Sequence, residues 1–141
     1  MKVKRWRGIT FVLLVAACTG APIAQKPDQR SESEHRRGPH ELVGWTFSEA
    51  ISDRPNESLP FMLVIARNRH VIQQISGDPF VWQWTFVDNG RQVAYESGQP
   101  HLGLQCYLAD IDTGRQLASY DCSHGIPANA PDWLRKLETA R

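Results

Sequence analysis

A chain of 141 residues leaves room for one small domain and excludes a multidomain or internally repeated architecture. The formal net charge is +1, but Lys2, Lys4, Arg5 and Arg7 crowd the first seven positions, and the rest of the chain carries 12 Lys and Arg against 15 Asp and Glu, a net of −3. That balance argues against a duplex nucleic-acid binder, which needs a basic face.

The chain opens with "MKVKRWRGITFVLLVAA". The four basic residues precede an apolar run, Ile9 to Ala17, too short to span a bilayer, which takes about 20 residues. It has the size of a secretory h-region, so residues 1–17 are read as a signal peptide and set aside from the fold. The run ends in Val15-Ala16-Ala17-Cys18, which resembles the lipobox of bacterial lipoprotein signal peptides. The resemblance implies acylation of Cys18 as the mature N-terminus and attachment to a membrane through that lipid. It places the protein outside the cytoplasm, lipid-anchored in the periplasm or on the outer membrane. Ordinary cleavage near Ala21 or Ala24, giving a secreted chain, is the alternative.

Residues 18–40, rich in Pro, Ser, Gln and charge, show no apolar periodicity and are expected to form a flexible tether. The domain is then expected to occupy residues 41–141. Thr46-Phe47-Ser48-Glu49 matches a capping box, which predicts a helix of at most two turns before Asp53-Arg54-Pro55-Asn56 ends it. From Leu59 the pattern turns to strands: "LPFMLVIA", a turn at Arg67-Asn68-Arg69-His70, then "VIQQI".

In "FVWQWTFVDNGRQVAY", Phe80, Trp82, Trp84 and Phe86 would share one strand face, with Val81, Gln83, Thr85 and Val87 on the other. Asn89-Gly90 predicts a type I′ turn, setting Phe86 opposite Val93 and Trp84 opposite Tyr95. Each aromatic can bury roughly 150–250 Å², and burial stabilises by about 25 cal/mol per Å². A domain this small is therefore expected to use the row as core, although Trp82 and Trp84 are also the candidate platform for a carbohydrate or peptidoglycan ligand. A binding surface would otherwise be sought on the opposite face, around Gln83, Thr85 and Gln92, or in the loop holding His101. The aromatics, the Asp-x-Gly turn, the return ending Val93-Ala94-Tyr95 and the strand reaching "DIDTGRQL" resemble one blade of a bacterial WD-repeat-type β-propeller over residues 80–120. The resemblance implies a related strand geometry; about 100 residues cannot supply the blades of a propeller. With Asp121-Cys122-Ser123-His124, the pattern also resembles a small bacterial envelope domain, from which no activity follows.

"CYLADIDTGRQLASYDC" reads as two strands around Thr113-Gly114. Leu104, Cys106 and Leu108 share a face, as do Ala118, Tyr120 and Cys122, so joining the two apolar faces excludes a two-residue loop. A three-residue loop, Thr113-Gly114-Arg115, would put Cys106 directly opposite Cys122 and Leu108 opposite Tyr120. Export would make that pair a disulfide. "NAPDWLRKLETAR" then predicts a short helix with Pro131 at its first position and Trp133, Leu134 and Leu137 on its apolar side, packed on the sheet. The expected fold is mainly β, a small antiparallel meander of about six strands with a short C-terminal helix.

The residues that could carry chemistry do not converge. His101, Cys106, Cys122 and His124 suit zinc by type but match no closed zinc spacing, and a disulfide would consume both thiolates. Asp110-Ile111-Asp112-Thr113-Gly114 opens like a calcium loop, yet Arg115 and Asp121 stand where the rest of that loop should continue. No nucleophile elbow or phosphate-binding glycine loop is present. No catalytic residue, metal or cofactor is therefore assigned. The leading expectation is a non-catalytic envelope interaction module, binding an envelope protein or glycan. A carbohydrate or peptidoglycan module follows, and then an enzyme built on His101, His124 and Asp121.

Overall fold

The computed structural model describes residues 30–140. They are mainly β, as the sequence predicts, with β1 (Arg30–Glu32), β2 (Arg36–Arg37), β3 (Leu42–Ile51), β4 (Arg54–Arg67), β5 (His70–Ser76), β6 (Val81–Val87), β7 (Gln92–Gln99), β8 (Gly103–Asp110), β9 (Gln116–Asp121) and one helix, α1 (Asp132–Thr139). Two antiparallel sheets form: β1-β3-β4-β5, with β2 also on β3, and β6-β7-β8-β9. Leu42, Leu63 and Ile65 of the first sheet meet Val81, Trp84, Val93, Ala109 and Ile111 of the second in one core. A second core lies beneath the helix, where Val87, Ala94, Cys106 and Leu108 meet Leu134 and Leu137. The result is three layers: sheet, sheet and helix. None of the described helices is long and apolar enough to cross a membrane.

The segment around Thr46 is a strand, not the short helix its capping-box spelling predicts. Leu42, Gly44 and Thr46 are buried while Val43, Trp45 and Phe47 are half-buried, a period of two across the β3 face. Thr46 does not cap. Its N–H donates to Ser33 Oγ at 2.8 Å, and its carbonyl accepts from the Ser33 N–H at 2.9 Å. Partners far along the chain thus override a local helix signal worth about 1 kcal/mol.

The same contacts bring residues 30–37, expected in the tether, into the sheet. β1 and β2 line the free edge of β3, with Arg30 opposite Glu49 and Arg36 opposite Gly44. This polar stretch contributes backbone hydrogen bonds and covers a strand edge, so its lack of apolar periodicity does not keep it out of the fold. Residues 18–29 of the expected tether, the expected signal peptide and Cys18 lie outside the described residues.

The three predicted hairpins are present. Arg67 pairs with His70 across Asn68-Arg69, and Phe86 and Trp84 face Val93 and Tyr95 in the expected register. Asn89 and Gly90 both take positive φ, and the Arg91 N–H closes the turn on the Asp88 carbonyl at 3.1 Å. The strict alternation of the aromatic row fails at its start. Val81 faces Ser97 and Gln83 faces Glu96, so Trp82 is the extra residue of a bulge. The bulge brings Val81 into the inter-sheet core beside Trp84 and takes Trp82 out of the row.

In the third hairpin the register slips by two residues. Cys106 lies opposite Tyr120 and Leu108 opposite Ala118, because the loop closes between Asp110 and Arg115, where the Asp110 N–H donates to the Arg115 carbonyl at 2.9 Å, and a bulge at Leu108/Ala109 leaves Leu117 as an extra residue. A slip of two keeps side-chain parity, so both cysteines still face α1 and are bridged, with Cα atoms 5.9 Å apart. The helix begins at Asp132 with Pro131 as N-cap, one residue later than expected, and buries Leu134 and Leu137. It covers part of the face that Val87 shares, where the sequence had suggested a binding surface.

Candidate functional site

Trp84 is 4 % exposed. Its ring meets Phe86 edge-on at 5.3 Å, and Arg36 lies 5.3 Å above the centroid. A residue so placed is core and shows a ligand no open ring face. Trp82 is half-buried, donates its indole N–H to the Gly98 carbonyl at 2.7 Å, and meets Phe80 edge-on at 5.5 Å. The bulge keeps the two tryptophans from presenting one continuous row.

Cys106 and Cys122 are joined in a disulfide, so neither thiolate is available to a metal or as a nucleophile. The bridge is compatible with an exported location. His101 and His124 are exposed, and His124 lines an open cleft with Asp121, Ile126 and Glu138. Among the described residues no group of three or more His, Cys, Asp or Glu is placed to hold a metal ion.

The Asp110 loop is built as a turn. Asp110 Oδ1 accepts from the Thr113 hydroxyl at 2.7 Å and from the Thr113 N–H at 2.8 Å, while Asp112 pairs with Arg67 of the other sheet at 2.8 Å. The Thr113 hydroxyl, and then its N–H, hold the Asp110 carboxyl below its ordinary value of 3.8. Ser123 does the same for Asp121 through its hydroxyl and its N–H. Both pKa values are lower in the folded chain than in the unfolded one. The stability they contribute is therefore present above about pH 4 and is lost as pH falls through the folded values. The urea midpoint is expected to fall below about pH 4. Thr113→Val should raise the Asp110 carboxyl toward its ordinary value in an NMR carboxyl titration while leaving Asp121 where it is. Equal titration of Asp110 in both proteins would remove the hydroxyl as the cause.

Among the described residues a further concave surface includes neither the aromatic row nor His101 and His124. A cleft of about 800 Å³ opens between the β2–β3 connection and the β4–β5 turn, lined by His35, Arg37, His40, Glu41, Asn68 and Arg69. Strand alternation explains its charge. Arg36 turns inward, over Trp84 and onto the Trp84 carbonyl at 3.3 Å, so Arg37 turns outward into the cleft. His35 stacks on Trp45 at 4.5 Å and is held by Glu32 at 3.0 Å; His40 is held by Asn89 at 3.0 Å. The sequence signal was the dipeptide Arg36-Arg37 itself, hidden because residues 18–40 read as tether and offered no strand on which to alternate.

Comparisons with protein-family models, with curated proteins and with solved structures return no match for this chain. Its function therefore rests on its own residues.

Proposed function

We propose that this protein is a lipid-anchored envelope domain that works by binding another envelope component and not by catalysis. The observation that carries the reading is the Cys106–Cys122 bridge. Such a bond persists in oxidising compartments, and here it takes up the two thiols that could otherwise have served as nucleophiles or zinc ligands. The anchor rests on the sequence: basic residues, a short apolar run and Val15-Ala16-Ala17-Cys18 resembling a lipobox.

Metabolic labelling with a palmitate analogue tests the anchor. The wild-type chain is expected to incorporate the label and to partition with membranes, and Cys18→Ala to lose both. Equal incorporation by the two would end the lipid reading and leave a secreted domain. A glycan partner is testable separately: a peptidoglycan fragment should quench tryptophan fluorescence in the wild type and not in Trp82→Ala. Unchanged quenching in the variant would exclude Trp82 as the contact.

A further inference from the structure

We infer that the cleft between the β2–β3 connection and the β4–β5 turn is an anion site for a phosphate group, with Arg37 and Arg69 as its two binding cations. The inference names a ligand class for the binding role proposed above, yet it rests on residues 35–69 and is independent of the anchor at Cys18.

Three observations converge on it. The first is unspent charge. Arg54 pairs with Glu57 at 3.0 Å, Arg67 with Asp112 at 2.8 Å, Arg91 with Asp88 at 2.7 Å and Arg135 with Asp132. Arg37 and Arg69 have no such partner among the described residues, even though Glu41 lines the same cleft. Two guanidinium groups against one carboxylate among the lining residues leave the cleft net positive, and His40, whose Nε2 accepts from the Asn89 amide, keeps its Nδ1–H as a further donor. Guanidinium presents a planar fork of N–H donors that matches a phosphate face.

The second observation is backbone conformation. His40, Glu41, Asn68 and Arg69 all take left-handed φ, at 54°, 58°, 52° and 67°. Asparagine tolerates that region, but for arginine and glutamate it costs roughly 1–2 kcal/mol each. Each pair is the centre of a two-residue hairpin turn, whose type I′ geometry takes positive φ at both positions; the Leu42 N–H closes the first on the Pro39 carbonyl at 3.2 Å, and Arg67 pairs with His70 across the second. Here they fold two adjacent loops around one concavity.

The third is fixed geometry. His35 is clamped between Trp45 and Glu32, and His40 is tied to Asn89 of the β6–β7 turn, so both rings are oriented before a ligand arrives. Preorganisation of this kind reduces the entropy lost on binding.

The phosphate could belong to a small soluble molecule or to a lipid headgroup, and the test separates these. Backbone amide shifts of the full chain carrying Cys18→Ser would be followed during titration with inorganic phosphate, with monomeric dihexanoyl-phosphatidylglycerol and with monomeric dihexanoyl-phosphatidylcholine. Saturable shifts are expected at Gly38, Glu41 and Arg69. The double variant Arg37→Gln/Arg69→Gln should weaken binding at least tenfold, Glu41→Gln should tighten it, and Arg54→Gln, far from the cleft, should leave it unchanged. Opposite signs for the arginine and glutamate variants separate a charge-reading site from a general loss of structure. Phosphate as the tighter ligand would assign a soluble phosphate. Phosphatidylglycerol binding tighter than both phosphate and phosphatidylcholine would assign an anionic headgroup. The proposal is overturned if no ligand produces saturable shifts at these residues. Equal binding by the double variant overturns it as well.

Discussion

Replacing Trp84 with alanine is expected to lower the unfolding free energy by about 3–5 kcal/mol, read from urea denaturation. Two strands remote from it in sequence meet on this ring, together with a neighbour on its own strand. Arg36 of β2 covers its face, Gly44 of β3 lies against its tip, and Phe86 of β6 meets its edge. A Cβ built on Gly44 would stand 2.5 Å from Trp84 Cη2, closer than side-chain carbons approach. Gly44→Ala is therefore expected to cost about 1–3 kcal/mol through overpacking. In a Trp84→Leu background, where the ring tip is gone, the same change should cost far less. A Gly44→Ala penalty that is identical in both backgrounds would show that the glycine is required for some reason other than the ring. A domain of this size holds about 5–15 kcal/mol in total, so the single Trp84→Ala change consumes a large share of it.

The second large effect is expected from the disulfide. Cys106 and Cys122 are 16 residues apart, and releasing a loop of that length from its cross-link costs about 3 kcal/mol. At roughly 4–8 °C per kcal/mol for a domain of this size, the paired Cys106→Ala/Cys122→Ala variant should melt well below the wild type in calorimetry. The bridge has a native-state part too, because both sulfurs sit in the core that Leu134 and Leu137 complete. Hydrogen exchange should accordingly lose protection at Leu134 and Leu137 more than at Leu63 and Ile65 of the first sheet. Protection that falls evenly across the molecule would place the effect in the unfolded chain alone.

Stability and binding use different parts of this molecule. The aromatic row and the bridge hold the layers together, whereas the cationic cleft is built from a two-residue strand, two loops and four left-handed residues. A cleft of that kind lies on the surface and contributes little to the core, so Arg37 and Arg69 should be replaceable with little change in melting temperature. Loops on a rigid sandwich commonly carry binding residues for that reason.

Read alone, the residues determine what depends on near neighbours. The Asn89-Gly90 turn sets the register of Trp84 on Tyr95, Asn68-Arg69 closes the β4–β5 hairpin, and parity puts Cys106 and Cys122 on one face. "PDWLRKL" likewise spells an amphipathic helix start within a few positions of where it occurs. These features follow from backbone preferences and from the periods of 2 and 3.6, which act over a handful of residues.

The tertiary structure decided the rest. Thr46 became a strand residue because β4 and Ser33 offered its backbone partners that no local window contains. Residues 30–37 joined the sheet because β3 had a free edge to cover. Trp82 left the aromatic row because a bulge in β6 turned Val81 toward the core. Arg37 became a cleft residue only once Arg36 was drawn onto Trp84, 48 positions away. Each outcome is a choice among partners brought together by folding, and the energy that decides it comes from edge pairing and ring burial between elements remote in sequence.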